Sequence, residues 1–181
     1  MHPQVKNIYG YSESLLEISI SEKKVDQFIK DSFYIIDLVS ANPSLISIFT
    51  SHFISKSEKY TLIEKIFESK IDVYMINFLK VICKNNLFSH YNQILIKYIK
   101  LANAYLGQSW GQIQSAFPLS PSEIAKFEDL ISQKLNKKIV LRPKINPKLI
   151  SGIKITIDNH VFEHSLSSQL RSLKQKLIKN I

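Results

Sequence analysis

The chain has 181 residues, 45% of them hydrophobic, with four glycines, six prolines and one cysteine. That length suits one large or two small domains with real cores, and the scarcity of Gly and Pro argues against a β-sandwich and for a mostly helical chain. The lone Cys83 excludes a disulfide framework, no apolar run approaches a bilayer span, and the formal charge is +9.

The nearest candidate for a span, residues 94–106, is interrupted by Lys97 and Lys100. The opening MHPQVKNIYG has neither the basic-then-apolar plan of a signal peptide nor the Arg-rich plan of a transit peptide. The expectation is a soluble chain made where it works. Charge is uneven: residues 1–110 carry net +2 and residues 111–181 net +7. A basic second half favours an acidic partner, whether polypeptide, nucleic acid or lipid surface. Wealth in Ile, Lys, Asn and Ser with only two arginines, Arg142 and Arg171, also matches an AT-rich coding genome, which raises the charge without any selected partner.

In chain order, residues 9–20 place Tyr11, Leu15 and Ile18 on one helical face. Ser21 is positioned to cap a second helix burying Val25, Phe28, Ile29, Ile36 and Val39 and stopping before Asn42-Pro43. Asn42 as cap with Pro43 in the first turn starts a short third helix. Ser55 and Glu58 have capping-box spacing, opening a fourth helix with Leu62, Ile63, Ile66 and Phe67 inward. Asp72 caps a fifth, with Met75, Leu79 and Ile82 in one row and Ile76 and Cys83 in another, ended by Asn85-Asn86. A sixth from about Ser89 aligns Ile94, Tyr98, Leu101 and Tyr105. Six amphipathic helices on short connections read as a bundle over residues 1–106.

Residues 107–111, between two glycines, break the pattern and mark a boundary, giving a second domain over 107–181. Ile113 to Phe117 reads as a strand, and Ser120-Pro121-Ser122-Glu123 as a capping-box start for a helix with Ile124, Phe127, Leu130, Ile131 and Leu135. Residues 138–145 alternate as a second strand ending at a Pro147 turn. Gly152 opens an alternating strand with Ile153, Ile155 and Ile157, Asp158-Asn159-His160 turn, and Val161-Phe162 return. Ser165 caps a last helix striped by Leu166, Leu170, Leu173 and Leu177. The second half is therefore a small α+β domain with helices on one sheet face.

Four stretches of this sequence share one resemblance. INPKLISG with ITIDNHVFEHSLSSQLRSLKQKL, the opening YGYSESLLEIS, NFLKVICKNNLF and IQSAFPLSPSE stand in order at the spacing of the delta subunit of F-type ATP synthases. That family includes the mitochondrial oligomycin-sensitivity-conferring protein. Pro147, Leu149, Gly152, Val161, Ser165, Gln169 and Leu170 fall on its C-terminal pattern. Asn146, Ser151, Glu163, His164 and Ser167 depart from it, and Asn86 stands where Arg is common.

The resemblance implies a non-catalytic stator of a proton-translocating ATP synthase, without cofactor, nucleotide or metal of its own. It would link the catalytic head to the b-type subunits of the peripheral stalk and resist rotary torque during ATP synthesis. It implies a groove between the first and fifth helices that receives the N-terminal helix of an alpha subunit, with Tyr9, Ser12, Leu15 and Leu16 as one wall and Phe78, Leu79, Val81 and Ile82 as the other. The stalk would meet Lys174, Lys176 and Lys179. The expected place is the stromal face of a plastid thylakoid membrane, reached only through the complex, with the cytoplasmic face of a bacterial inner membrane as the alternative.

The residues themselves offer no catalytic constellation. There is no phosphate-cradling Gly-rich loop and no GxSxG elbow, and His160 and His164 sit in a strand without thiolates or a third ligand. Cys83 reads as a buried structural thiol. The rivals are a nucleic-acid-binding module, motivated by the basic second half but lacking arginines and an aromatic platform, and a generic helical adaptor.

Overall fold

A computed structural model of the chain describes residues 3–149, 152–157 and 160–165. Among these the chain is mostly helical, with seven α-helices and one small mixed sheet of four strands. It divides into two compact units, Met1–Ala102 and Asn103–Ile181.

The first unit holds α1 (Pro3–Ser21), α2 (Val25–Ala41), α3 (Ser44–Thr50), α4 (Lys56–Phe67), α5 (Val73–Lys84) and the start of α6 (Tyr91–Tyr105), which follows one 3-10 turn (Phe88–His90). The expected six-helix reading of residues 1–106 thus differs in two details. The sixth helix is entered through the 3-10 turn, and it runs on past Ala102 across the division between the units. The core is built from Leu15, Phe28, Ile35, Phe49, Phe67, Met75, Leu79, Ile82, Ile94 and Tyr98, all essentially inaccessible to solvent. Phe49 and Phe88 stack their rings 4.5 Å apart, in the tilted geometry aromatic pairs favour.

Two caps form as the spacing predicts. Ser55 accepts from the Glu58 N–H while Glu58 reaches back to the Ser55 N–H, and Asp72 accepts from the Tyr74 N–H. Two others do not. Ser21 ends α1, donating to the Ile18 carbonyl, and Lys24 stands at the N-cap of α2 without a side-chain capping bond. Asn42 turns back to donate to the Leu38 carbonyl, so α3 begins at Pro43 uncapped. In both cases a polar side chain satisfied the helix behind it, where free carbonyls competed for the same group.

The inward row of α1 is Ile8, Ser12, Leu15 and Ser19, not one made of apolar residues alone. The buried Ser12 hydroxyl lies 3.1 Å from its own helix's Ile8 carbonyl and 2.9 Å from the Ile94 carbonyl of α6. Lys59 is buried too, its ammonium donating to the Ser51 carbonyl 2.5 Å away. In α2 Val25, Phe28 and Val39 are buried as expected, joined by Asp31, Ser32 and Ile35, while Ile29 and Ile36, also expected inward, are half-buried.

The second unit forms around β1 (Gln108–Ser115), α7 (Pro121–Leu135), β2 (Lys138–Ile145), β3 (Gly152–Ile157) and β4 (His160–Ser165). The strand order is β2-β1-β3-β4, with β1 and β2 parallel across the α7 crossover and the other pairs antiparallel. β1 begins inside the stretch expected to be a break. Gly111 belongs to the sheet because a Cβ there would lie 2.7 Å from the Thr156 carbonyl oxygen and against the Ile157 side chain, so the glycine permits close approach of β3. One face packs on α7 through Ile113, Ile131, Ile139, Leu141, Ile155 and Ile157. Leu130, one of the apolar residues of α7, is 62% exposed.

β2 is an edge strand. The Ile139 N–H donates to Ser132 Oγ at 3.0 Å and the Leu141 N–H to Glu128 Oε1 at 2.7 Å. Pro143, next in that alternation, has no N–H to offer. Three successive outward positions are thereby closed to strand addition. The expected closing helix of Leu166, Leu170, Leu173 and Leu177 lies outside the described residues.

Candidate partner-binding surfaces

The flanks of α1 and α5 face each other in opposite directions. At one end Asn85 donates to the Tyr11 hydroxyl at 2.6 Å. At the other the Tyr74 hydroxyl is hydrogen-bonded to Glu22, which holds its pKa above the ordinary tyrosine value. The contacts involve positions eleven residues apart along each segment, Glu22 just past α1 and Asn85 at the C-cap of α5, about three turns or 16 Å. Residues at i, i+4, i+7 and i+11 share one flank. Tyr11, Leu15, Ile18 and Glu22 thus share one flank of α1 and the turn after it, and Asn85, Val81, Phe78 and Tyr74 one flank of α5 and its C-cap. Leu15 and Phe78 are buried, while Ile18 (37% exposed), Tyr74 (37%) and Val81 (44%) are exposed.

Of the eight residues assigned to the groove from the resemblance, Ser12, Leu15, Phe78, Leu79 and Ile82 are buried, Leu16 is half-buried, and Tyr9 and Val81 are exposed. Tyr9 and Leu16 lie on the other flank of α1, where Lys97 of α6 sits 4.7 Å over the Tyr9 ring. Val81 is exposed on α5, and Phe78 is buried. Ile18 and Tyr74 are exposed and lie outside that assignment; Ile18 belongs to the Tyr11–Leu15–Ile18 row. Lys174, Lys176 and Lys179 lie outside the described residues.

A polar cluster lies at the N-terminus of α5. Asp31 of α2, only 2% exposed, accepts from the Asp72 N–H at 2.9 Å and from Gln27 Nε2 at 2.8 Å. Burial pushes its carboxyl above the ordinary aspartate range despite those donors. Asp72 in turn holds Lys24 in a 2.7 Å ion pair. Its own burial works against ionisation, but the Lys24 ammonium and the Tyr74 N–H outweigh it and hold the carboxyl below the usual range.

The thiol of Cys83 is buried, raised in pKa by that burial, and lies 3.7 Å from the Phe49 carbonyl oxygen. Tyr98, fully buried near the Val25 carbonyl, is pushed up to about 12 by desolvation. Both groups sit in packed core, which suits structure and not proton transfer.

The family model for the ATP synthase delta (OSCP) subunit matches residues 9–177, spanning both units. The chain belongs to that family. It is similar to ATP synthase subunit delta of Mesomycoplasma hyopneumoniae strain 7448, with 55% identity over 100% of this chain and 97% of the relative. The subunit of the same name from Metamycoplasma arthritidis is 31% identical over 95% of this chain and 96% of its own length. In fold it resembles a chain of the Toxoplasma gondii mitochondrial ATP synthase hexamer, with TM-score 0.66 at 11% identity, covering 94% of this chain and 97% of that one. The delta/OSCP family is structural, not catalytic. The plastid expectation is corrected: the similar delta subunits come from mycoplasmas, which are bacteria.

Proposed function

We propose that this chain is the connector of a proton-translocating ATP synthase, joining the catalytic head to the peripheral stalk at the cytoplasmic face of a bacterial membrane. The observation that carries the reading is a family match running unbroken from residue 9 to residue 177, across two compact units. Two units on one chain allow two partners to be held at once, and linkage makes the second attachment effectively intramolecular. A stator needs that, because torque on the head is resisted only while both attachments hold.

On the head side, the opening between α1 and α5 receives a short amphipathic helix from the N-terminus of an alpha subunit. Exposed Ile18, Tyr74 and Val81 together with buried Leu15 and Phe78 suit apolar anchors at i, i+4 and i+7 of an incoming helix. Ile18, Tyr74 and Val81 make the contact, with Leu16 and Tyr9 at its margin. The described remainder of the earlier assignment acts as the support beneath. On the stalk side, Lys174, Lys176 and Lys179 remain the assigned contacts to the b-type subunits.

Calorimetric titration of the full chain with a peptide of the alpha-subunit N-terminus tests the head attachment. Heat is expected from the wild type and is expected to vanish in Val81→Asp and Ile18→Asp while helical circular dichroism is retained. Leu79→Asp, by contrast, should unfold the first unit, because it places a charge at a fully buried site. A wild-type chain that gives no heat would sink the head attachment.

A further inference from the structure

The turn that joins α1 to α2 is tied to the first turn of α5 by the side chains on either side of Lys23. The Lys23 N–H bonds to the Ile20 carbonyl at 3.0 Å and the Lys24 N–H to the Ser19 carbonyl at 2.9 Å, the two bonds of a Schellman turn. Lys23 takes the left-handed position of that turn, at φ +55°, where glycine is the ordinary choice. The backbone is thereby fixed at the point from which Glu22 and Lys24 both reach Tyr74. Glu22 is hydrogen-bonded to the Tyr74 hydroxyl. The Lys24 ammonium lies 5.5 Å from the centre of the Tyr74 ring and 2.7 Å from Asp72 Oδ2. Asp72 accepts the Tyr74 N–H at 2.9 Å with its other oxygen, Oδ1. Phe28 of α2 places a second ring 6.4 Å from that of Tyr74, tilted by 37°.

We infer that Lys24 is a positioning residue for the head attachment, holding the Tyr74 ring in the orientation that meets the incoming helix. This role rests on the reading of Tyr74 as a contact of that site. A partly exposed tyrosine in the first turn of a helix has rotamers to choose from, and fixing one of them at the moment of binding weakens the complex. Here the hydroxyl, the ring and the backbone N–H of Tyr74 are each engaged before any partner arrives. Lys24 links two of these restraints, because it lies over the ring and is itself held by the carboxylate that caps α5. Removing its charge releases the ring and takes the cation from Asp72 Oδ2, while the Oδ1 cap on the Tyr74 N–H stays in place. The Lys24 side chain is 41% exposed, so its loss should disturb the bundle little. Its effect is therefore expected in binding and not in folding.

Calorimetric titration of the full chain with a peptide of the alpha-subunit N-terminus reads the effect. Lys24→Met is expected to weaken binding about three- to tenfold with nearly unchanged melting. Lys24→Arg keeps a cation for both the ring and the carboxylate and is expected to bind as the wild type does. Asp72→Asn keeps a capping oxygen for the Tyr74 N–H but loses the ion pair, and is expected to match Lys24→Met. The deciding arm combines Lys24→Met with Tyr74→Leu. A residue that acts through Tyr74 adds no further loss in that background, whereas a merely structural one lowers affinity by the same factor in both. Wild-type heat with Lys24→Met indifferent, or an equal loss in the Tyr74→Leu background, would overturn the positioning role and leave the head attachment standing. A wild type without heat would instead overturn the head attachment itself, and this role with it.

Discussion

Asp31 Oδ2 accepts the backbone N–H of Asp72, 41 residues further along the chain, at 2.9 Å. One buried acid of α2 thereby holds the residue that caps α5 and pairs with Lys24. The two carboxyls respond to pH in opposite senses. Asp31 is raised by burial, so the folded chain keeps that proton to higher pH than the unfolded chain. Its contribution is full below the ordinary aspartate pKa and is lost as pH rises through the raised folded value. Asp72 is lowered, so its contribution is full above the ordinary value and is lost as pH falls through the folded one. Asp31→Asn should remove the first slope, and urea melts across the acid range would show it as a gain over wild type that grows with pH. Asp31→Ala leaves the Asp72 N–H unsatisfied and should cost about 1–3 kcal/mol. An Asp31→Asn stability curve parallel to wild type would refute the buried-acid account.

Glu128 protects the free edge of β2 by accepting from the Leu141 N–H at 2.7 Å. Glu128→Ala should cost about 1–3 kcal/mol, accelerate hydrogen exchange at Leu141, and promote concentration-dependent association through the opened edge. Glu128→Gln keeps an acceptor oxygen and should stay monomeric by sedimentation. Equal behaviour of the two variants would show that the bond does not guard the edge.

Capping boxes close the N-termini of α4 and α7, with Ser55 and Ser120 as caps and Glu58 and Glu123 reaching back. Replacing either serine by alanine should cost about 1 kcal/mol and raise exchange in the first turn of its own helix. Denaturant melts check the magnitude. Exchange measured residue by residue checks that the other cap is untouched.

Gly111 has no room for a side chain, because an added Cβ would press on the Thr156 carbonyl oxygen 2.7 Å away. Gly111→Ala should destabilise the second unit by about 1–3 kcal/mol through overpacking. Gly107→Ala is different: the space around it is open, but its φ of +67° suits glycine, so its cost should arise from backbone strain of roughly 1 kcal/mol. Crystals of the two variants would separate the mechanisms. The first should show displaced β3 backbone and the second an unchanged sheet.

Much of the architecture was legible in local pattern. The helices of the first half, both capping boxes and the span of β2 follow from periodicity and turn chemistry that act over a few residues. The caps that failed, Ser21 and Asn42, were lost to carbonyls of the preceding helix, a competition that sequence spacing does not rank. Gly111 read as a break because a glycine required for close strand approach has the same letter as one required for a turn. The groove was harder still. Apolar rows on α1 and α5 were visible, but burial of Leu79 and Ile82 and exposure of Ile18 and Val81 depend on how far each helix is rotated against its neighbours.

The sequence by itself determined where helices and strands form, where four of its stretches resemble a known family, and how unevenly charge is distributed. Those are properties of residues within a few positions of each other, or of bare composition. Tertiary structure alone decided that Asp31 holds Asp72, that Glu128 shields Leu141, and that Ser12 and Lys59 are buried with their polar atoms satisfied. Such contacts join positions from 8 to 82 residues apart. A buried polar group persists only where the packed chain supplies a partner, and that partner is chosen by the fold.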